Sequence, residues 1–304
     1  MENNSVSPMP ELAPIAEFDK TPPSPTEETA VPMADLPSPP KTMSAQEEKA
    51  QLEEHSRHYE EENEWGCANW FEYTVVVVFS SVLLLGALAL TLFWVIYYRD
   101  GFAWRDDVSK QFNLHPVLMV AGFITFSGFS VLLYRICRCC RRIYVKLLHT
   151  IFHALAIPCV AIGFLAVLDS HNLAEPPIPN FYSIHSWLGL VTMGLFVIQF
   201  VIGFFSFLVL LCCEGATAAF RAALVPIHAS FGLTTFVLAV ASCLTGLTEK
   251  VIFTLGNAYS SWPEEGIVVN TLAMVLVALA ILVSFAVRSP VLHSNTKVYV
   301  TERL

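Results

Sequence analysis

From residue 74 onwards the chain alternates long apolar stretches with short polar connections. Each apolar stretch approaches the ~20 residues that a helix needs to cross the hydrocarbon core of a bilayer. Six such stretches are predicted, over 74–98, 115–134, 146–168, 184–211, 226–247 and 267–287. Lipid offers no partner to a backbone N–H or C=O, so each stretch must satisfy its own hydrogen bonds as an α-helix. The connections are short, which sets sequential helices antiparallel. The expected fold is therefore an all-α integral membrane protein with six transmembrane helices.

Composition agrees with a membrane solvent: hydrophobic residues make up 55% and charged residues only 14% of the 304, far from the balance of a soluble globular domain. The formal net charge of −9 suggests a cationic partner until it is divided along the chain. Residues 1–64 carry 15 of the 26 acidic but only 4 of the 17 basic residues, so the acidity belongs to this segment. It also holds 10 of the 18 prolines and few aromatics, too little apolar surface to offset the entropy of ordering. Residues 1–72 are expected to form a disordered, acidic, Pro-rich cytosolic tail, 73–288 a six-helix domain and 289–304 a short cytosolic C-terminal tail. Ser7-Pro8, Thr21-Pro22, Ser24-Pro25 and Ser38-Pro39 are candidate phosphorylation sites in a solvated tether. Ser44 followed by Glu47 is a capping signal for a short acidic helix towards Tyr59. The start lacks the cationic and apolar regions of a signal peptide, so the first apolar stretch is expected to direct insertion.

Lys and Arg are retained in short cytoplasmic loops. One side of the predicted topology has Arg135, Arg138, Arg141, Arg142, Lys146, Arg221, Arg288, Lys297 and Arg303; the other has Arg99, Arg105, Lys110 and Lys250. This puts both termini in the cytosol. All eight cysteines (Cys67, Cys137, Cys139, Cys140, Cys159, Cys212, Cys213 and Cys243) fall in helices or on the cytosolic side, so no disulfide framework is implied. Unmodified juxtamembrane thiols are expected, with palmitoylation or metal binding at Cys137, Cys139, Cys140, Cys212 or Cys213 as the alternatives.

An imidazole in a membrane helix is costly and marks a site more often than packing. His115 and His185 begin the second and fourth helices and form a pair near the outer surface. His149 and His153 begin the third and His228 the fifth, at the cytosolic side. Two histidines from different helices at one depth suit axial ligation of haem iron from opposite faces. His149 and His153 share a helix face and cannot form such a pair together; one of them pairs with His228. Zinc would want three or four ligands converging at one level, and a six-helix transporter relaying protons would want ionisable groups near the bilayer centre and an internal repeat. A quinone-linked b-type subunit would need partner subunits.

Residues 92–288 resemble the cytochrome b561 family. The resemblance is carried by FNLHPVLM (112–119), KLLHTIFHALA (146–156), AVLDSHN (166–172), FYSIHSWLG (181–189), FRAALVPIH (220–228), LTGLTEKVIF (244–253) and PEEGIVVNTL (263–272), in that order. It implies a four-helix core of helices 2–5 holding two haem b groups, His115 with His185 at the outer and His149 with His228 at the inner iron. His153 then becomes a packing residue. The resemblance also implies ascorbate as cytosolic electron donor, bound by Lys146 and Arg221; Arg142, one turn earlier on the same helix face, either joins them or is ordinary positive-inside charge. At the outer haem it points to His171 as a substrate contact, to Asn113, Tyr182 and Ser183 near the haem edge, and to Arg99 as a carboxylate partner, a residue that reads equally as a snorkelling helix end. The implied activity is an ascorbate-dependent transmembrane reductase passing electrons to monodehydroascorbate or ferric iron. A homodimer in the plasma membrane or a secretory or endolysosomal vesicle membrane is expected, with no nucleic acid partner.

Overall fold

The computed structural model describes residues 45–137 and 140–288; the side chains of 211, 212 and 214 and of most residues before 73 are excepted. The Ser-Pro and Thr-Pro pairs, Ser44, Arg138, Cys139, Lys297, Arg303 and most of both expected tails lie outside the described residues, as do the side chains of Cys67 and Cys212. The chain divides into two units, Met1–Ser56 and Arg57–Leu304. In the first, the described residues 45–56 are helical. All that follows concerns the second.

Eight α-helices are described: α1 (Ala45–Tyr98), α2 (Val108–Phe112), α3 (Leu114–Met119), α4 (Ser127–Ile136), α5 (Arg142–Asn172), α6 (Ile184–Phe207), α7 (Glu214–Leu255) and α8 (Glu264–Arg288). A π-helical stretch, Val120–Phe126, joins α3 to α4. Among the described residues, six spans are long and apolar enough to cross a membrane, at Tyr73–Tyr98, Val108–Ile136, Arg142–Asn172, Ile184–Phe207, Gly215–Ser261 and Glu264–Arg288. Two stretches differ from expectation. Residues 45–72, expected as tail with a short helix only towards Tyr59, are helical throughout and continuous with the first span; the run AQEEKAQLEE contains only good helix formers after the last tail proline. The fifth span was expected to start at Pro226, yet Pro226 lies inside α7. The Ala-rich segment before it favours helix strongly enough to carry the proline within the span rather than at its start.

The six spans pack through narrow apolar seams. On α8, Val269, Leu272, Leu276, Leu279, Val283 and Ala286 are all buried, and their spacing of three and four residues draws one stripe down the helix. On α1, Leu84, Ala87, Thr91, Trp94 and Val95 do the same. The α2–α4 span packs along α5, α6 along α7, and α8 against α7 and α4. Gly122 lets the π-helical stretch approach α5: a Cβ there would lie 3.0 Å from Val160 and 3.1 Å from the Ala156 carbonyl oxygen. Small residues allow such close packing where apolar lipid supplies no hydrophobic drive. Many hydroxyls inside the spans fold back onto their own helix, as Thr91 Oγ1 does to the Ala87 carbonyl (2.7 Å) and Thr192 Oγ1 to that of Leu188 (2.7 Å), while Thr125 Oγ1 and Ser130 Oγ cross to the Leu84 (3.3 Å) and His149 (2.9 Å) carbonyls of other helices. The outward faces of α5 and α6 carry exposed Ile151, Leu155, Ile162, Val197, Ile198 and Val201, apolar surface of the kind lipid covers.

Candidate functional site

Antiparallel packing brings α3 and α6 together at one end of the bundle, and α5 and α7 at the other. The His115 and His185 rings lie with centroids 5.9 Å apart and the His149 and His228 rings 6.2 Å apart. A metal–imidazole bond of about 2 Å plus about 1 Å from nitrogen to ring centre puts two axial imidazoles roughly 6 Å apart, centroid to centroid. Both pairs have that spacing.

Ring orientation points the same way. Nδ1 of His115 donates to the Gly163 carbonyl (3.1 Å), that of His149 to the Ser130 carbonyl (3.0 Å) and that of His185 to the Ser242 carbonyl (2.8 Å). A carbonyl only accepts, so the proton sits on Nδ1 and the Nε2 lone pair is left for a metal, the arrangement typical of ligating histidines. His228 Nδ1 is buried and has no partner among the described residues; its ring is bounded instead by Phe207 (centroids 5.2 Å) and Gly203. A Cβ on Gly203 would lie 2.8 Å from His228 Cε1, and one on Gly246 would lie 2.7 Å from His185 Cε1. The roles are reciprocal: α6 supplies His185 at one end and Gly203 at the other, while α7 supplies His228 and Gly246. His153 packs edge-on to His149 (4.7 Å) and against Phe196 (5.7 Å), with Nδ1 unpartnered among the described residues. Among the described residues no three His, Cys, Asp or Glu side chains converge on one point, so the pairs suit a metal whose other ligands come from a macrocycle.

From His115 to Ser130, which meets His149, is about 20 Å of helix at roughly 1.5 Å per residue. The two centres therefore span most of a hydrocarbon core about 30 Å thick. Phe123 and Phe196 (centroids 5.3 Å) lie between them.

A cavity of about 800 Å³ opens around His115 and His185, also lined by His171, Asn180, Tyr182, Ser183 and Lys250. This falls in the range of cofactor pockets. Ser183 caps α6, its Oγ accepting from the Ser186 N–H (3.2 Å), and so fixes the start of the helix carrying His185. His171 Nδ1 donates to Asn180 Oδ1 (3.1 Å), and Asn180 is tied in turn to Asn172 (2.8 Å). Two further expected residues are engaged elsewhere. Arg99 forms an ion pair with Glu265, whose Oε1 also accepts from Trp94 Nε1 (2.8 Å), and Asn113 Nδ2 donates to the Arg99 and Gly101 carbonyls (2.8 and 2.7 Å). Neither lines the cavity. At the other end, Lys146 stands one turn before His149 and Arg221 two turns before His228; Arg221 Nη1 donates to the Leu210 carbonyl (3.4 Å). Arg142 is exposed at the start of α5. Asn180, Lys250, Tyr134 (5.5 Å from the His149 ring), Gly203 and Gly246 were not anticipated. Only Lys250 carried a signal, as a cation against the positive-inside majority.

These features define a membrane protein, helical in its described spans, with two partly buried histidine pairs at the spacing that iron held between helices would require. The family model for eukaryotic cytochrome b561 matches residues 114–254. The plasma membrane ascorbate-dependent reductase CYBRD1 of Rattus norvegicus is 38% identical over 215 residues, 69% of this chain and 73% of that protein. The lysosomal membrane ascorbate-dependent ferrireductase CYB561A3 of Homo sapiens is 38% identical over 217 residues (68% and 87%), and the human transmembrane ascorbate-dependent reductase CYB561 is 38% identical over 200 (66% and 76%). The chain belongs to the cytochrome b561 family, which implies haem b as its cofactor.

Proposed function

We propose that this protein carries electrons from ascorbate on the cytosolic side through two b-type haems to monodehydroascorbate or ferric iron on the other. His115 with His185 hold one haem and His149 with His228 the other. The observation that carries this reading is the double match of ring separation, 5.9 and 6.2 Å, at the two ends of one bundle. Haem held by these histidines would supply a one-electron carrier at each end, suited to electron transfer rather than oxygen chemistry.

The chain's own residues do the rest. Carbonyls at Gly163, Ser130 and Ser242 hold three imidazoles in the tautomer that presents Nε2, and Gly203 and Gly246 leave room for the rings. Buried Phe123 and Phe196 exclude water between the centres. Lys146 and Arg221, with Arg142 on the same face as Lys146, supply fixed positive charge for the ascorbate anion at the His149 end. His171, oriented by Asn180, contacts the acceptor at the His185 end, with Tyr182 and Ser183 at the rim. Arg99 belongs to this reading only through the Glu265 pair that braces α1 against α8. Both termini are then cytosolic. The names of the relatives support a plasma or lysosomal membrane, and a homodimer through the exposed Ile184 and Trp187 face of α6 completes the proposal. The test is a haem-to-polypeptide ratio on purified protein with a reduced absorption spectrum. A ratio near two with a b-type spectrum is expected; one or none would refute the di-haem reading.

A further inference from the structure

Lys250 has no role in the reading above, and its surroundings give it one. Its ammonium sits 3.9 Å over the centroid of the Phe112 ring, and Phe112 in turn lies 6.0 Å from the His115 ring. Lys250 lines the cavity that holds His171, Asn180 and Tyr182. Among the described residues no carboxylate comes within 4.0 Å of it: Glu265 is taken by Arg99, and Glu249, which lines the same cavity, makes no ion pair. Aromatic contact stabilises such a cation without neutralising it. Lys250 falls within the span Gly215–Ser261, where an ionisable group marks a site by default. Ser242, Gly246 and Lys250 follow at four-residue intervals, so they share one face of α7. That face meets His185, because Ser242 O accepts from its Nδ1 and Gly246 lies against its ring. An anion held by Lys250 therefore stands one turn, about 6 Å along the helix, beyond His185.

We propose that Lys250 is the anion-binding residue of this cavity and selects electron acceptors that carry negative charge, such as an organic radical anion or a carboxylate chelate of ferric iron. The proposal rests on the electron-transfer reading. It assigns the ammonium to the acceptor rather than to a propionate of bound haem, which offers the same carboxylate chemistry.

The experiment uses full-length protein in vesicles loaded with ascorbate, with the Lys250 end facing the medium. Ferric citrate serves as anionic acceptor and hexaammineruthenium(III) as cationic one. In Lys250→Gln, KM for ferric citrate should rise about five- to tenfold, while KM for the ruthenium complex stays level or falls. Lys250→Arg should keep the preference for the anion, and haem content and midpoint potentials should match wild type in both variants. Equal changes for both acceptors, or none for either, would overturn the proposal. A shifted midpoint potential with the acceptor preference intact would give the ammonium to a haem propionate and overturn it equally. Wild-type vesicles that pass no electrons would instead overturn the electron-transfer reading beneath it.

Discussion

Replacing Gly246 by alanine tests the His115–His185 centre without touching either imidazole. The added Cβ would sit 2.7 Å from Cε1, 2.9 Å from Nδ1 and 3.2 Å from Nε2 of His185. Carbon–carbon contacts are comfortable at roughly 3.5–4.0 Å, so the ring has to retreat by about 1 Å. It cannot do so freely, because Nδ1 is tied at 2.8 Å to Ser242 O, one turn earlier on the same helix. Overpacking of this kind costs about 1–3 kcal/mol, and if the whole cost falls on the bound state, affinity for haem at this centre drops roughly 5- to 150-fold. Purified Gly246→Ala should therefore lose haem from one centre on dilution or washing, its ratio falling from two towards one per chain, while Gly203→Ala does the same at the other centre. The double variant should approach zero. Unchanged ratios in both single variants would show that the rings are not the parts of the site these glycines accommodate.

His149→Ala or His228→Ala should each remove one haem, whereas His153→Ala keeps both; equal loss in all three, measured by haem stoichiometry, would refute the choice of His149. Lys146→Ala with Arg221→Ala should slow reduction by ascorbate from the cytosolic side about tenfold at normal haem content, and loss of haem or a wild-type rate in stopped-flow reduction would remove the donor site from these residues. His171→Ala should slow reoxidation by an external acceptor and leave the haems more reduced at steady state. Glu265→Ala strips the partner from Arg99 and Trp94, both largely buried, and should lower stability by about 3 kcal/mol, read as a fall in the thermal midpoint in detergent; an unchanged midpoint would show that the pair contributes little.

The six spans were legible because lipid leaves helices as the only solution, so a run of apolar residues specifies an element almost by length alone. The meeting of His115 with His185 followed from counting depth along antiparallel helices; the same count left His149 and His153 as alternatives to meet His228, and the family resemblance chose His149. What lay beyond reach were contacts set by packing between distant segments. Arg99 reads equally as a substrate contact or a snorkelling helix end until Glu265, far along the chain, is seen to hold it. Asn113 serves two backbone carbonyls of the preceding loop, and nothing in the FNLHPVLM motif announces that. Helix edges also failed, between Tyr59 and the first span and before Pro226, because strong helix formers carry a helix past the bilayer without any apolar signal.

The exchange of roles between α6 and α7 has a consequence for the direction of flow. Each helix brings a histidine to one end and a yielding glycine to the other, so the two proposed centres share one plan of mounting, apart from the carbonyl that holds His185 Nδ1 and not His228 Nδ1, and that plan by itself prefers neither heading. A wire built this way is not a rectifier. On the proposed reading its polarity is written at the mouths, where Arg142, Lys146 and Arg221 would mark one entrance and His171 with Lys250 the other. Chains sharing this interior could then be re-addressed to new donors or acceptors by changing a handful of residues at either entrance, leaving the conducting core untouched.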